Sequence, residues 1–151
     1  MRTLMVITLA IALLGCAHHP PQAPESPAGA MVQGVGYSQV GDIVTLEFDP
    51  TRFENATHDF TGGWKHLSML TITTVDAAGE FNGWSKSAWP MERAGTRWVL
   101  RKPRAEFGTA TTYQFKYVIN GEWWVEPPRN AANQQGTGFV NNASNLVLIL
   151  K

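Results

Sequence analysis

A single cysteine, Cys16, stands in 151 residues. A lone thiol forms no internal disulfide and leaves no cysteine cluster to hold a metal. Net charge is missing too, because 12 Lys and Arg balance 12 Asp and Glu. Without a basic excess, nothing points to nucleic acid or to an acidic membrane surface. No segment carries a sustained 3.6-residue apolar period, so no amphipathic helix is expected. Signatures of catalysis are also lacking. There is no Ser-His-Asp pattern and no Gly-rich phosphate loop; Gly34-Val35-Gly36 leads into a strand and reads as a turn. Acid–base glycoside chemistry needs two carboxylates about 5–10 Å apart, and no motif marks such a pair. His58, Asp59 and His66 could together ligate a metal, but the spacing of the two histidines is not diagnostic of one. The chain is expected to be neither an enzyme nor a holder of a cofactor or metal.

The N-terminus is rich in what the rest lacks. After Arg2, residues 4–14 run "LMVITLAIALL" without a charge. Spanning a bilayer takes about 20 residues, so this run suits the apolar region of a secretory signal. It ends in Leu13-Leu14-Gly15-Cys16, which resembles the bacterial lipobox. That resemblance implies cleavage after residue 15 and lipidation of Cys16. Ala17, where an aspartate would retain such a protein in the inner membrane, implies an outer-membrane address. Residues 17–30, "AHHPPQAPESPAGA", hold four of the nine prolines and almost no large apolar side chain. They are expected to be an extended tether, with His18 and His19 as polar spacer. The expected organisation is a signal at 1–15, a lipidated cysteine and linker at 16–36, and one folded domain at 37–151.

The folded part alternates. Residues 42–48, "DIVTLEF", set Val44, Leu46 and Phe48 against Ile43, Thr45 and Glu47, a period-2 strand. Residues 49–64 read as a loop by their Pro, Gly, Asn and Asp content, with room for a short helical turn. A second strand is expected at 66–75, "HLSMLTITTV", and further strands in "GTRWVLRK", "TTYQFKYVI", "EWWVE" and "NLVLIL". Six or more short strands between turns predict an all-β sandwich of immunoglobulin-like type. Trp89 and Trp98 read as packing residues, and residues 101–104, "RKPR", as a solvated strand end.

Trp123 and Trp124 are adjacent, so in a strand they point to opposite faces. Asn120-Gly121 between two strands signals a two-residue type I′ hairpin. Such a loop pairs Ile119 with Glu122, Val118 with Trp123 and Tyr117 with Trp124. Trp124 then joins Tyr113, Phe115, Tyr117 and Ile119 on the core face, and Trp123 stands exposed beside Lys116. Two readings of Trp123 follow. An exposed indole beside a lysine makes a platform for a sugar ring, or it packs beneath the loop at 49–64.

The segment "AAGEFNGWSK", residues 77–86, is similar to the signature of the family 48 carbohydrate-binding modules. These include the glycogen-binding domain of the AMP-activated protein kinase β subunit and the early-set domains of isoamylases and branching enzymes. "PMERAGTRWVL", "YQFKYVINGEWWVEPP" and "GTGFVNNASNLVLIL" resemble the family's later motifs in order, over residues 77–150. Asn-Gly replaces the family's Asp-Gly turn, and Glu126-Pro127 its Asp-Pro. The resemblance implies an early-set sandwich that binds an α-glucan such as glycogen, starch or a malto-oligosaccharide. Carried over position by position, it implies contacts from Trp84, Lys116, Trp123, Thr137 and Asn141. The expected partners are therefore an α-glucan and, through the lipid anchor alone, a membrane. The alternative is an early-set module that serves as an interaction or structural piece of an envelope complex and binds no sugar.

Overall fold

The computed structural model describes residues 31–137 and 143–151. Cys16, the signal run, the Pro-rich stretch and Asn141 lie outside these residues. Twelve strands form among the described residues. The first six are β1 (Val32–Gly34), β2 (Tyr37–Val40), β3 (Ile43–Phe48), β4 (Thr57–His58), β5 (Trp64–Lys65) and β6 (Val75–Gly79). The others are β7 (Glu92–Ala94), β8 (Arg97–Pro103), β9 (Thr112–Ile119), β10 (Trp123–Val125), β11 (Gln134–Gly136) and β12 (Ser144–Ile149). β1 lies ahead of Tyr37 and pairs with β2, so sheet structure starts within the stretch expected to be linker.

All pairings are antiparallel. One sheet runs β1-β2-β3-β8-β7. The other is built around β9, which carries β6 along one edge. Its opposite edge is shared by β12, beside residues 112–115, and by β10, beside Val118 and Ile119. β11 extends the sheet beyond β12, and β4 then β5 extend it beyond β10. The all-β sandwich expected from the strand pattern is the fold.

Alternation along two strands accounts for the core. On β3, Val44, Leu46 and Phe48 are fully buried while Ile43 is exposed. On β9, Tyr113, Phe115, Tyr117 and Ile119 meet them from the other sheet. Phe48 and Tyr117 lie 5.4 Å apart by ring centres, and β12 adds Leu146 and Leu148. Burying each such side chain contributes about 1.5–3 kcal/mol. The Tyr117 hydroxyl finds its partner in the Gly36 carbonyl of the β1–β2 turn. Gly36 has φ +82, and a Cβ there would stand 3.0 Å from Leu146, so the Gly-Val-Gly turn is glycine for both backbone and space.

Two expectations change. Residues 66–75 are not one strand. Leu67–Met69 is a short 3-10 turn, residues 70–74 lie outside any ladder, and β6 begins at Val75. The reason lies in the Asn120 side chain. Its Oδ1 accepts from the backbone N–H groups of Thr73 and Thr74, and its Nδ2 donates to the Thr71 carbonyl. A side chain thus occupies backbone groups that a neighbouring strand would take.

The second change concerns the tryptophans. Asn120 and Gly121 have φ of 54 and 69, the left-handed pair a type I′ turn needs. The Glu122 N–H closes the turn on the Ile119 carbonyl at 3.1 Å. The ladder, however, resumes with Trp123 opposite Ile119 and Trp124 opposite Val118. Glu122 is an extra residue between turn and ladder, and it shifts the register by one. A one-residue slip exchanges the two faces. Trp123, not Trp124, therefore enters the main core beside Ile119 and Val125.

Candidate functional site

The outer face of the β9 sheet carries a second, smaller apolar cluster of Ala78, Val118 and Trp124, with Trp84 packed against it. Trp84 is placed there by its own loop. Gly79 ends β6 so close to β9 that a Cβ would lie 2.6 Å from the Gln114 carbonyl. The chain then makes a short helical turn, Glu80–Asn82. Phe81 turns inward and stacks on Trp89, ring centres 4.5 Å apart. Asn82 ties the loop back, accepting from the Gly79 N–H and donating to the Ala77 carbonyl. Gly83 has φ +63 and Trp84 itself φ +60. A left-handed backbone at a residue with a Cβ costs about 1–2 kcal/mol. Strain of this kind collects at functional positions.

Trp124, itself only 3% exposed, packs against it, with ring centres 6.2 Å apart and planes 51° from parallel. Phe60 meets Trp124 edge-on at 4.9 Å from the other flank. Phe60 is 42% exposed and also left-handed, φ 67. It sits at the tip of the β4–β5 connection, where the Asp59 carboxylate accepts from the Thr61 and Gly63 N–H groups. Those bonds hold the Asp59 carboxyl below its ordinary value. Lys86 reaches over the Trp124 ring at 5.6 Å. The Trp124 Nε1 is buried without a hydrogen-bond partner.

Trp84, Trp124 and Phe60 line a cleft of about 430 Å³. Gln114, Asn145 and Thr137 are among the polar groups that also line it. The Asn145 amide donates to the Gln114 side-chain carbonyl at 2.9 Å, and Glu80 accepts from the Gln114 N–H at 2.7 Å. Aromatic side chains lining one cleft with fixed amides and a hydroxyl suit a ligand with apolar C–H faces and many hydroxyls.

Of the residues the sequence singled out, Trp84 and Thr137 come together in this cleft. Trp123 does not. Its ring points into the main core, on the other face of the sheet from the cleft, with the Lys65 ammonium 4.2 Å over it. Lys116 lies on the expected face of β9 but is not exposed, because β4 and the residue after β10 cover it. Its ammonium bonds the Glu126 carboxylate and lies 2.9 Å from His58 Nε2. The other Glu126 oxygen accepts from the Ser144 N–H at 2.9 Å. Burial pushes the Lys116 ammonium down, against the pull of Glu126. Burial pushes the Glu126 carboxyl up, but the bonds from His58, Lys116 and Ser144 outweigh it and hold it below its ordinary value. His58 Nε2 either donates to Glu126, 3.1 Å away, or accepts from Lys116; its buried Nδ1 has no partner.

Sequence reasoning missed Trp124, Phe60 and Asn145. Gln114 was on the correct face of β9 by alternation alone. Phe60 had one signal, an aromatic between Asp59 and Gly62-Gly63, the composition of a tight turn that exposes its tip. His66, considered beside His58 and Asp59, lies elsewhere, with Nδ1 3.0 Å from the Asn55 carbonyl. Among the described residues, no group of three His, Cys, Asp or Glu side chains is placed to hold a metal, and no helix is long and apolar enough to cross a membrane. Comparison with family models, with curated proteins and with solved structures returned no match for this chain.

Proposed function

We propose that this protein binds an α-glucan without transforming it, in the cleft between Trp84, Trp124 and the Gln114–Asn145 pair. The observation that carries the reading is Trp84 held at positive φ beside Trp124. A strained loop that presents an indole in the same cleft as fixed amides suits stacking on a sugar ring. The resemblance of residues 77–150 to the family 48 carbohydrate-binding modules supports the same ligand class, with Trp124 taking the part assigned to Trp123.

The N-terminal sequence supports a lipid anchor at Cys16 and an address in the bacterial outer membrane. A Cys16→Ser variant is expected to lose acylation and leave the membrane fraction; a variant that stays membrane-bound as the parent does contradicts the anchor.

Affinity electrophoresis in a gel containing glycogen, against a gel without it, tests the binding. The wild-type protein is expected to be retarded, and Trp84→Ala to migrate as if glycogen were absent. If glycogen and amylopectin both fail to retard the wild type, the sugar reading falls, and an interaction module of an envelope complex takes its place.

A further inference from the structure

Across the outer face, the register places three rings in line. Trp124 on β10 stands directly opposite His58 on β4, and His58 directly opposite Trp64 on β5. Paired residues share a face, so Trp64 is on the side of the sheet that carries Trp84 and Trp124. Neighbouring contacts are short. Phe60 lies 4.5 Å from His58, and His58 lies 5.2 Å from Trp64, by ring centres. A row of ring contacts thus runs Trp84, Trp124, Phe60, His58, Trp64 from the cleft toward the sheet edge, with Trp124 and His58 buried beneath and Phe60 and Trp64 at the surface. Its end is open, for Trp64 is 44% exposed.

Trp64 borders a second and larger cleft of about 740 Å³, also lined by Glu54, Glu126, Arg129, Gln134 and Ser144. Its charges are matched within the protein. Glu54 accepts from the Arg129 N–H at 3.0 Å and faces its guanidinium at 3.8 Å. Glu126 is answered by Lys116. An ion would find no uncompensated partner here. What the cleft offers is one exposed indole, carboxylate edges, an amide and a guanidinium, all groups that bond hydroxyls.

We infer that this cleft is a second saccharide subsite, so that one neutral glucan chain lies across Phe60 from Trp84 to Trp64. The inference rests on the sugar reading of the first cleft. The second subsite has its aromatic platform outside the stretch that resembles the carbohydrate-binding family, since Trp64 and Glu54 precede residue 77, while Glu126, Arg129, Gln134 and Ser144 come from within that stretch.

The test is calorimetric titration of the full chain with a series from maltose to maltoheptaose. For the wild type, affinity is expected to climb up to the longest member. Trp64→Ala should lose about tenfold or more for maltoheptaose and nothing for maltotriose, a difference well above titration error. Arg129→Ala, at a side chain 90% exposed, should weaken the long chain several-fold and leave melting unchanged. Trp84→Ala should lose both long and short ligands. Two results leave the first cleft standing and overturn the second: maltoheptaose bound equally by wild type and folded Trp64→Ala, or long and short ligands weakened alike. A wild type that binds no member of the series overturns both. Melting curves identify a misfolded Trp64→Ala, in which case Arg129→Ala decides.

Discussion

Trp84 and Trp124 hold their rings 6.2 Å apart on the outer face of one sheet, although forty residues of chain separate them. β6 and β10 flank β9 on opposite edges, so Ala78 and Val118 form the floor on which both rings rest. Trp84 reaches that floor only through a left-handed backbone. Trp84→Gly therefore relieves about 1–2 kcal/mol of strain while it forfeits contact with Trp124. The two effects oppose, and stability is expected to stay within about 1 kcal/mol of wild type. Glycogen retardation is expected to vanish. Urea unfolding and the affinity gel, run on the same variant, check both halves.

Trp123 behaves as a core residue. Trp123→Ala is expected to cost about 3–5 kcal/mol, as for other truncated core aromatics. That is much of the 5–15 kcal/mol a domain of this size commands. Trp123→Phe should keep the fold and keep glycogen retardation, since no part of Trp123 lines the cleft. Chemical denaturation measures the first expectation, and the gel the second.

Lys116 is a counter-ion rather than a surface contact. Lys116→Met leaves the Glu126 carboxylate buried without its cation, and loss of one partner of a buried pair costs about 3–5 kcal/mol. Adding Glu126→Gln should restore a large part of that loss, because the amide oxygen can still accept from the Ser144 N–H. A double-mutant cycle on unfolding free energy measures the coupling.

Acid should expose the same pair. The Glu126 carboxyl titrates below its ordinary 4.5 in the folded protein. Its contribution is therefore present above the unfolded value and is lost as pH falls through the folded one. Asp76 has the opposite sign. Burial raises its carboxyl above the ordinary 3.8, and its Oδ1 has no partner. Its contribution is present below the unfolded value and is lost as pH rises through the folded one. Asp76→Asn should accordingly raise the melting temperature at pH 7 and not at pH 3, while Glu126→Gln should flatten the loss on acidification. Thermal melts across that range test both signs.

The sandwich was legible because β3 and β9 alternate without interruption, and each buries the face its apolar residues mark. Trp84 was singled out through the resemblance of residues 77–86 to a carbohydrate-binding signature, and it packs on the outer face of the β9 sheet. The hairpin was not. Asn120-Gly121 correctly announced its turn, but register depends on whether the ladder resumes at once, and nothing in "NGEWW" reveals the bulge at Glu122. Covering layers were equally hidden. The exposure of Lys116 is decided by His58, 58 residues away, and such a contact leaves no local pattern. Residues 66–75 looked like a strand by their β-branched content, yet their backbone is bonded by the side chain of Asn120.

The placement of the proposed sugar site is tested most directly by the six tryptophan indole N–H signals in a two-dimensional nitrogen–proton spectrum, assigned by substitution. Titration with maltoheptaose is expected to shift the signals of Trp84 and Trp124 and, where the chain extends across Phe60, that of Trp64. Those of Trp89, Trp98 and Trp123 should stay in place. Movement of Trp123 with Trp84 and Trp124 unmoved, or no movement of any indole at saturating sugar, would contradict the site.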